Sequence, residues 1–114
     1  MTDQRSDLVQ GTLEMLVLKT LSLEPMHGWG ISVRLRQISG DVFDVNQGSL
    51  YPALQRMLSR RWVKATWRAS DNNRRARYYE LTPEGRRQLE ARLAEWRHSS
   101  AAVERVLRFA FREG

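Results

Sequence analysis

The stretch NQGSLYPALQRMLSRRWV, residues 46–63, opens with small polar residues, turns to a helical period, and ends in a basic pair followed by a strand-like run. Leu50, Ala53, Leu54, Met57 and Leu58 fall on one face at helical spacing, as expected of a helix with one side on a core. The other face carries Gly48, Ser49, Pro52, Gln55, Arg56 and Ser59, with Tyr51 on the flank. Gln and Arg are the side chains that make paired hydrogen bonds to adenine and guanine edges, and small residues let a helix N-terminus approach a phosphate closely. Asn46 and Ser49 are both good N-caps. Pro52 favours Ser49, which puts the proline in the first turn where its missing N–H costs little. A start at Asn46 would leave Pro52 inside the helix and kink it.

Upstream, Leu8 to Leu23 is rich in Leu, Val and Met over too wide an arc for a surface helix, which predicts a largely buried one ended by Glu24-Pro25. A second helix is predicted from about His27 to Ser39, with Ile31, Leu35 and Ile38 inward and Gly40-Asp41 as its close. Downstream the period changes to two. Val63, Ala65 and Trp67 alternate with Lys64, Thr66 and Arg68, and ARYYEL (residues 76–81) alternates again. ASDNNRR between them is turn chemistry, so the two runs read as an antiparallel hairpin with a basic, exposed tip. Trp62 and Trp67 are expected to pack hairpin against core, and Trp29 to support the helices before it.

Thr82-Pro83-Glu84 then starts a long helix, with Thr82 as cap, Pro83 in the first helical position and Glu84 at the positive end of the dipole. Leu89, Leu93, Trp96, Val103 and Leu107 recur at coiled-coil spacing, with Val106, Phe109 and Phe111 as a second stripe. From Pro83 to Phe111 such a helix is roughly 43 Å long. Its seam would be exposed in a monomer, which predicts a homodimer through Leu89, Leu93, Trp96, Val103 and Leu107. Folding back onto its own domain is the competing arrangement.

The chain has 114 residues, 41% hydrophobic, with four Trp, enough for one domain plus an appendage and too apolar for a disordered chain. Its formal net charge is +6. Residues 56–77 hold eight basic side chains against Asp71 alone, a local +7, which leaves the other 92 residues at −1. Charge gathered in one segment points to a polyanionic partner. With no cysteine there is no disulfide frame, thiol nucleophile or cysteine-held zinc. His27 and His98 are far apart in sequence and read as capping or surface residues, and no Gly-rich phosphate loop follows a strand. An enzyme is not expected, nor a metal or cofactor. The run from Met15 to Leu23 is too short to span a bilayer, and the N-terminus lacks the order of a signal peptide, so a soluble cytoplasmic protein is expected.

Three helices and then a hairpin is the order of a winged helix-turn-helix, in which the third helix enters the major groove and the hairpin tip follows the backbone or minor groove. The predicted fold class is therefore α+β, mainly helical: a winged helix-turn-helix over residues 1–81 and a C-terminal dimerisation helix over 82–114. On this reading Gln55, Arg56 and Tyr51 face double-stranded DNA from the helix, and Asn72, Asn73, Arg74, Arg75 and Arg77 from the wing.

PMHGWGISVRL, QGSLYPALQRML, the tryptophan strand, NNRRARYYELTPEG and the long terminal helix together resemble the PadR family of bacterial transcriptional regulators, from about Leu8 to Val106. GSLYPAL followed about 25 residues later by RRARYYELTPEG is the specific part of the match. The chain departs at Gly30, where many members carry an acidic residue. With one helix after the wing it is similar to the shorter branch, whose terminal and first helices build the dimer. The resemblance implies a ligand-responsive repressor of a two-fold symmetric operator, with Gln47, Ser49, Tyr51, Pro52 and Arg56 of the third helix and Asn73, Arg74, Arg75 and Arg77 of the wing on DNA. It also implies release by a phenolic acid or flat hydrophobic effector, which Trp96 in mid-seam could stack upon, although ordinary dimer packing explains Trp96 as well. The competing functional reading is a winged helix that docks an acidic protein; a membrane-surface role ranks below both, since the basic residues do not lie on one amphipathic helix.

Overall fold

A computed structural model describes residues 2–110, with side chains placed from residue 11 onward. Four helices and three short strands follow in the order α1 (Thr2–Leu23), β1 (Met26–His27), α2 (Gly28–Ile38), α3 (Gln47–Ser59), β2 (Val63–Ala69), β3 (Arg75–Leu81) and α4 (Pro83–Arg108). α1 starts well before Leu8, because the polar residues ahead of it carry no hydrophobic period to read. Phe111, expected in the second stripe of α4, lies outside the described residues.

β1 is too short to leave a sequence pattern, yet it makes the hairpin a three-stranded antiparallel sheet of order β1-β3-β2. Met26 pairs with Tyr79 and His27 with Tyr78, so the wing is anchored at the start of α2. Val17 and Leu18 of α1, Ile31 of α2, Leu50, Leu54 and Met57 of α3, and Tyr79 of β3 are fully buried around one core, which Leu89 of α4 joins.

Both helices of the helix-turn-helix close in the same way. After α2 the chain turns left-handed at Gly40 (φ 64°), with Gly40 N–H donating to the Gln37 carbonyl and Asp41 N–H to that of Arg36. After α3 the left-handed position is Arg61 (φ 63°), with Arg61 N–H on the Leu58 carbonyl and Trp62 N–H on that of Met57. This six-to-one plus five-to-two pattern satisfies the last carbonyls of each helix. Glycine fills it without strain; arginine carries the left-handed penalty of about 1 kcal/mol.

The start of α4 is fixed by Thr82. Its Oγ1 accepts from Gly85 N–H (3.0 Å) and donates to the carbonyl of Arg61 (2.7 Å), with that of Trp62 at 2.9 Å. Gly85 is buried so tightly on this loop that a Cβ there would overlap the Trp62 carbonyl oxygen. Leu89 and Leu93 follow on the same side and pack against the core. Both are expected in the dimer seam; the body of their own chain, reached through α1, covers Leu89 instead, while Leu93 is only partly covered. Beyond them the helix runs free of the body, with Trp96, Val103, Val106 and Leu107 exposed, and the molecule measures 68 × 29 × 23 Å.

Candidate nucleic-acid interface

The N-cap of α3 is Asn46, whose Oδ1 accepts from Ser49 N–H at 2.8 Å. This corrects the expectation of a Ser49 cap. Pro52 therefore lies at the sixth helical position, and α3 continues unbroken past it to Ser59. What a proline removes there is one N–H, that is, the intrahelical donor to the carbonyl of Gly48. Gly48 is exposed, so water can reach that carbonyl.

The outward face of α3 holds Ser49, Tyr51, Pro52 and Gln55, all exposed, beside Gly48 and Ser59. Two residues of the expected reading face have prior engagements. Gln47 donates from Nε2 to Ser32 Oγ at 2.8 Å, tying the first residue of α3 to the buried side of α2. Arg56 donates from Nε to Glu14 Oε2 at 2.8 Å and turns back toward α1. Its guanidinium braces the helix from behind, which corrects its placement among the outward residues. A lone acidic residue inside an apolar, buried helix is the sequence signal that was missed, because a buried carboxylate demands a cation.

Tyr51 does two things at once. It is partly exposed, and its phenol covers Gly28, where a Cβ would stand 2.9 Å from the hydroxyl. It thus seats α3 against the first turn of α2, and its flank remains open to a ligand. The His27 side chain caps α2, its Nδ1 accepting from Gly30 N–H at 3.0 Å, and its ring meets Tyr78 edge-on at 5.2 Å.

In the wing, strand register places Val63, Ala65, Trp67 and Ala69 on one face with Leu81, Tyr79, Arg77 and Arg75 opposite them. At the base that face is core: Val63 and Tyr79 are buried, and burial pushes the Tyr79 phenol above its usual 10.0 against the opposing charge of Arg77. Farther out the same face has left the body. Trp67, expected to pack inward, is 59% exposed there, with the Arg75 guanidinium 5.6 Å from its ring centre. The alternation is right, and the hairpin outreaches the core it packs on. Trp62 is buried as expected. The turn is closed by Ser70 N–H on the Arg74 carbonyl (2.7 Å), with Asn73 left-handed at φ 65°. Asn73, Arg74, Arg75 and Arg77 are all exposed.

Between wing and α2 lies an open cleft of about 760 Å³, bordered by Trp29, Arg34, Arg75 and Tyr78. Trp29 is 67% exposed, so it lines this cleft and does not support the helix pair from within. Among the described residues no helix is long and apolar enough to cross a membrane.

A small polar helix face beside an arginine-bearing hairpin can bind a duplex by base edges and backbone together. Comparison with known proteins agrees. The family model described as "Transcriptional regulator PadR-like family" matches residues 17–91. A PadR-like transcriptional regulator from Bacillus cereus has 30% sequence identity and a TM-score of 0.80, with 92% of this chain and 100% of that one covered. A PadR family transcriptional regulator from Eggerthella lenta has 28% identity and a TM-score of 0.79, over 96% of this chain and 93% of that one. An uncharacterized 37.1 kDa protein of a Streptomyces fradiae transposon is 39% identical over 77 residues, which are 68% of this chain and only 21% of that protein. With the winged helix-turn-helix in place and the family model spanning most of it, the chain belongs to the PadR-like family of DNA-binding transcriptional regulators.

Proposed function

We propose that this regulator is a homodimeric repressor of a two-fold symmetric operator, released by a small aromatic effector. Residues 1–81 make up the DNA-reading part, and residues 82–114 the part that carries the dimerisation helix α4, whose first turns also belong to the core. α3 enters the major groove with Ser49, Tyr51, Pro52 and Gln55 toward the bases, while Gln47 and Arg56 hold the helix in its seat. Asn73, Arg74, Arg75 and Arg77 follow the flanking backbone.

The observation that carries this reading is the pairing of an uncharged outward face on α3 with exposed arginines on the outer wing. A protein-docking surface has no need of small residues at a helix N-terminus, whereas groove entry does. Dimerisation is supported by the apolar far half of α4, where Trp96, Val103, Val106 and Leu107 are exposed on a single chain. Contiguous apolar surface of that kind marks an interaction site. Trp96, 49% exposed in mid-seam, is the residue on which a flat effector would stack.

The test is fluorescence anisotropy against the DNA upstream of the protein's own gene, beside a scrambled duplex of equal length at near-physiological salt. A preference of about a hundredfold or more, with two subunits per site, is expected. Equal binding to both would reduce the basic segment to a polyanion trap, and no binding would put an acidic protein partner in first place. Replacing Arg74 and Arg75 by alanine should weaken every duplex alike and flatten the salt slope by about one to two units.

A further inference from the structure

Glu14 is a carboxylate buried within α1, and three guanidiniums converge on it. Arg56 of α3 reaches Oε2 at 2.8 Å, Arg92 of α4 reaches Oε1 at 3.5 Å, and Arg60, the C-cap residue of α3, approaches Oε1 at 3.9 Å. Arg60 and Arg92 both lie over the ring of Trp62, 5.1 and 5.0 Å from its centre. Arg92 Nε is buried without a hydrogen-bond partner. α3 packs on α1, α2 and β2, whereas α4 packs on α1 and β3. The arginines of the reading helix and of the dimer helix therefore meet at one anion on a third helix.

We propose that Glu14 is a positioning residue that fixes the angle of α3 relative to α4, and thereby the separation of DNA half-sites the dimer accepts. This rests on the dimeric, operator-reading function above. In a two-fold helix-turn-helix dimer the half-site spacing follows from where the two reading helices stand. Each stands where its own chain attaches it to the dimer helix. Here that attachment has an electrostatic part, beside the shared core and the Thr82 hydrogen bonds to the chain just past the end of α3. Three cations share a single carboxylate; without it the guanidiniums repel, and the Trp62 ring still holds Arg60 and Arg92 but not Arg56. Removal of one member of a buried ion cluster leaves uncompensated charge, which the structure relieves by moving. The movement available is a tilt of α3 away from α4.

The experiment uses full-length protein and the palindrome that the wild type selects from random duplexes, with variants of that palindrome whose half-sites are one or two base pairs closer or farther apart. Wild type is expected to discriminate strongly among spacers. Glu14→Gln keeps the shape and removes the charge. It should form dimers of normal mass and helicity, and its preference for the selected spacing should fall by about tenfold or more. Glu14→Asp, which keeps the charge, should recover part of that preference. Ile31→Val, a core truncation on α2, which contributes no member of the cluster, should lower Tm and leave the preference intact. Should Glu14→Gln fail to fold, Arg92→Met serves in its place, since it cuts only the α4 end of the link and leaves Arg56 on Glu14; it too should flatten the spacing profile. Dimeric Glu14→Gln or Arg92→Met with the wild-type spacing profile would overturn the proposal. A wild type that selects no palindrome would overturn the operator-reading function, and this inference with it, before any variant is made.

Discussion

The two halves of α4 carry the same apolar spacing and meet opposite surroundings. In the first, Leu89 is 4% exposed against the core and Leu93 packs beside it, Gly85 lies under the Trp62 carbonyl, and Arg92 reaches Glu14. In the second, Val103 is 54% and Leu107 71% exposed among the described residues. A periodic stripe states that apolar surface wants cover; it does not state which molecule supplies it. The division falls where the globular part ends, between Leu93 and Trp96. One helix thus does two jobs in succession, first completing a core and then, on the proposed function, joining two copies.

Breaking the first half should have the largest effect. Gly85→Ala forces a methyl group into the Trp62 carbonyl, and both groups are backbone-anchored, so the start of α4 must lift. A loss of about 3 kcal/mol in urea denaturation at fixed protein concentration is expected. Leu89→Ala should cost about 2–5 kcal/mol in the same assay, as a core cavity does. If both changes leave the midpoint alone, the first half is not core.

Breaking the second half should leave the fold and remove the partner. Val103→Glu with Leu107→Glu places two carboxylates in the seam and should weaken self-association roughly a hundredfold or more, with helicity retained. Light scattering that still reports dimers would locate the interface elsewhere.

The joint between α3 and α4 gives a smaller, opposite effect. Arg61 stands at φ 63° where α2 uses Gly40 at φ 64° for the same turn. Arg61→Gly removes that strain and should stabilise the fold by about 1 kcal/mol in thermal or urea unfolding. A loss of stability would mean that the arginine side chain contributes more to this corner than its backbone costs.

The smallest effect belongs to Glu84 in the first turn of α4. Hydrogen bonds from Arg87, then Gln88, hold its carboxyl below its usual 4.5. A depressed acid contributes stability that is present above the unfolded value and lost as pH falls through the folded one. Glu84→Gln should therefore lower Tm slightly at pH 7 and by progressively less as pH falls below 4.5, as thermal scans across that range would show. A difference that does not shrink as pH falls would assign the effect to lost packing and not to charge.

The same contrast explains what was legible in the sequence. The existence and order of the helices and of the wing follow from period and turn chemistry, because local spacing decides them. Thr82 as cap of α4 and Trp62 as a buried aromatic could be read in the same way. What failed needs knowledge of where the body stops. Leu89 looks like seam until its own chain is seen to cover it; Trp67 looks like core until the hairpin is seen to outrun it. Proline in mid-helix is costly, which favours Ser49 over Asn46 as cap, yet α3 accepts Pro52 and Asn46 Oδ1 caps it. Helical position and the family resemblance both place Arg56 outward, while a carboxylate 42 residues earlier draws its Nε back. Long-range ion pairs of this kind leave no mark in local periodicity. β1 was invisible at two residues.

The most direct test of the central claim is sedimentation equilibrium of the wild-type protein at micromolar concentration, without DNA. The account predicts a mass of two chains, because Trp96, Val103, Val106 and Leu107 on the far half of α4 are exposed in a single chain. A mass of one chain at every concentration would contradict it, for then the exposed stripe of Trp96, Val103, Val106 and Leu107 would be covered by no second copy and a two-fold operator would have no two-fold reader.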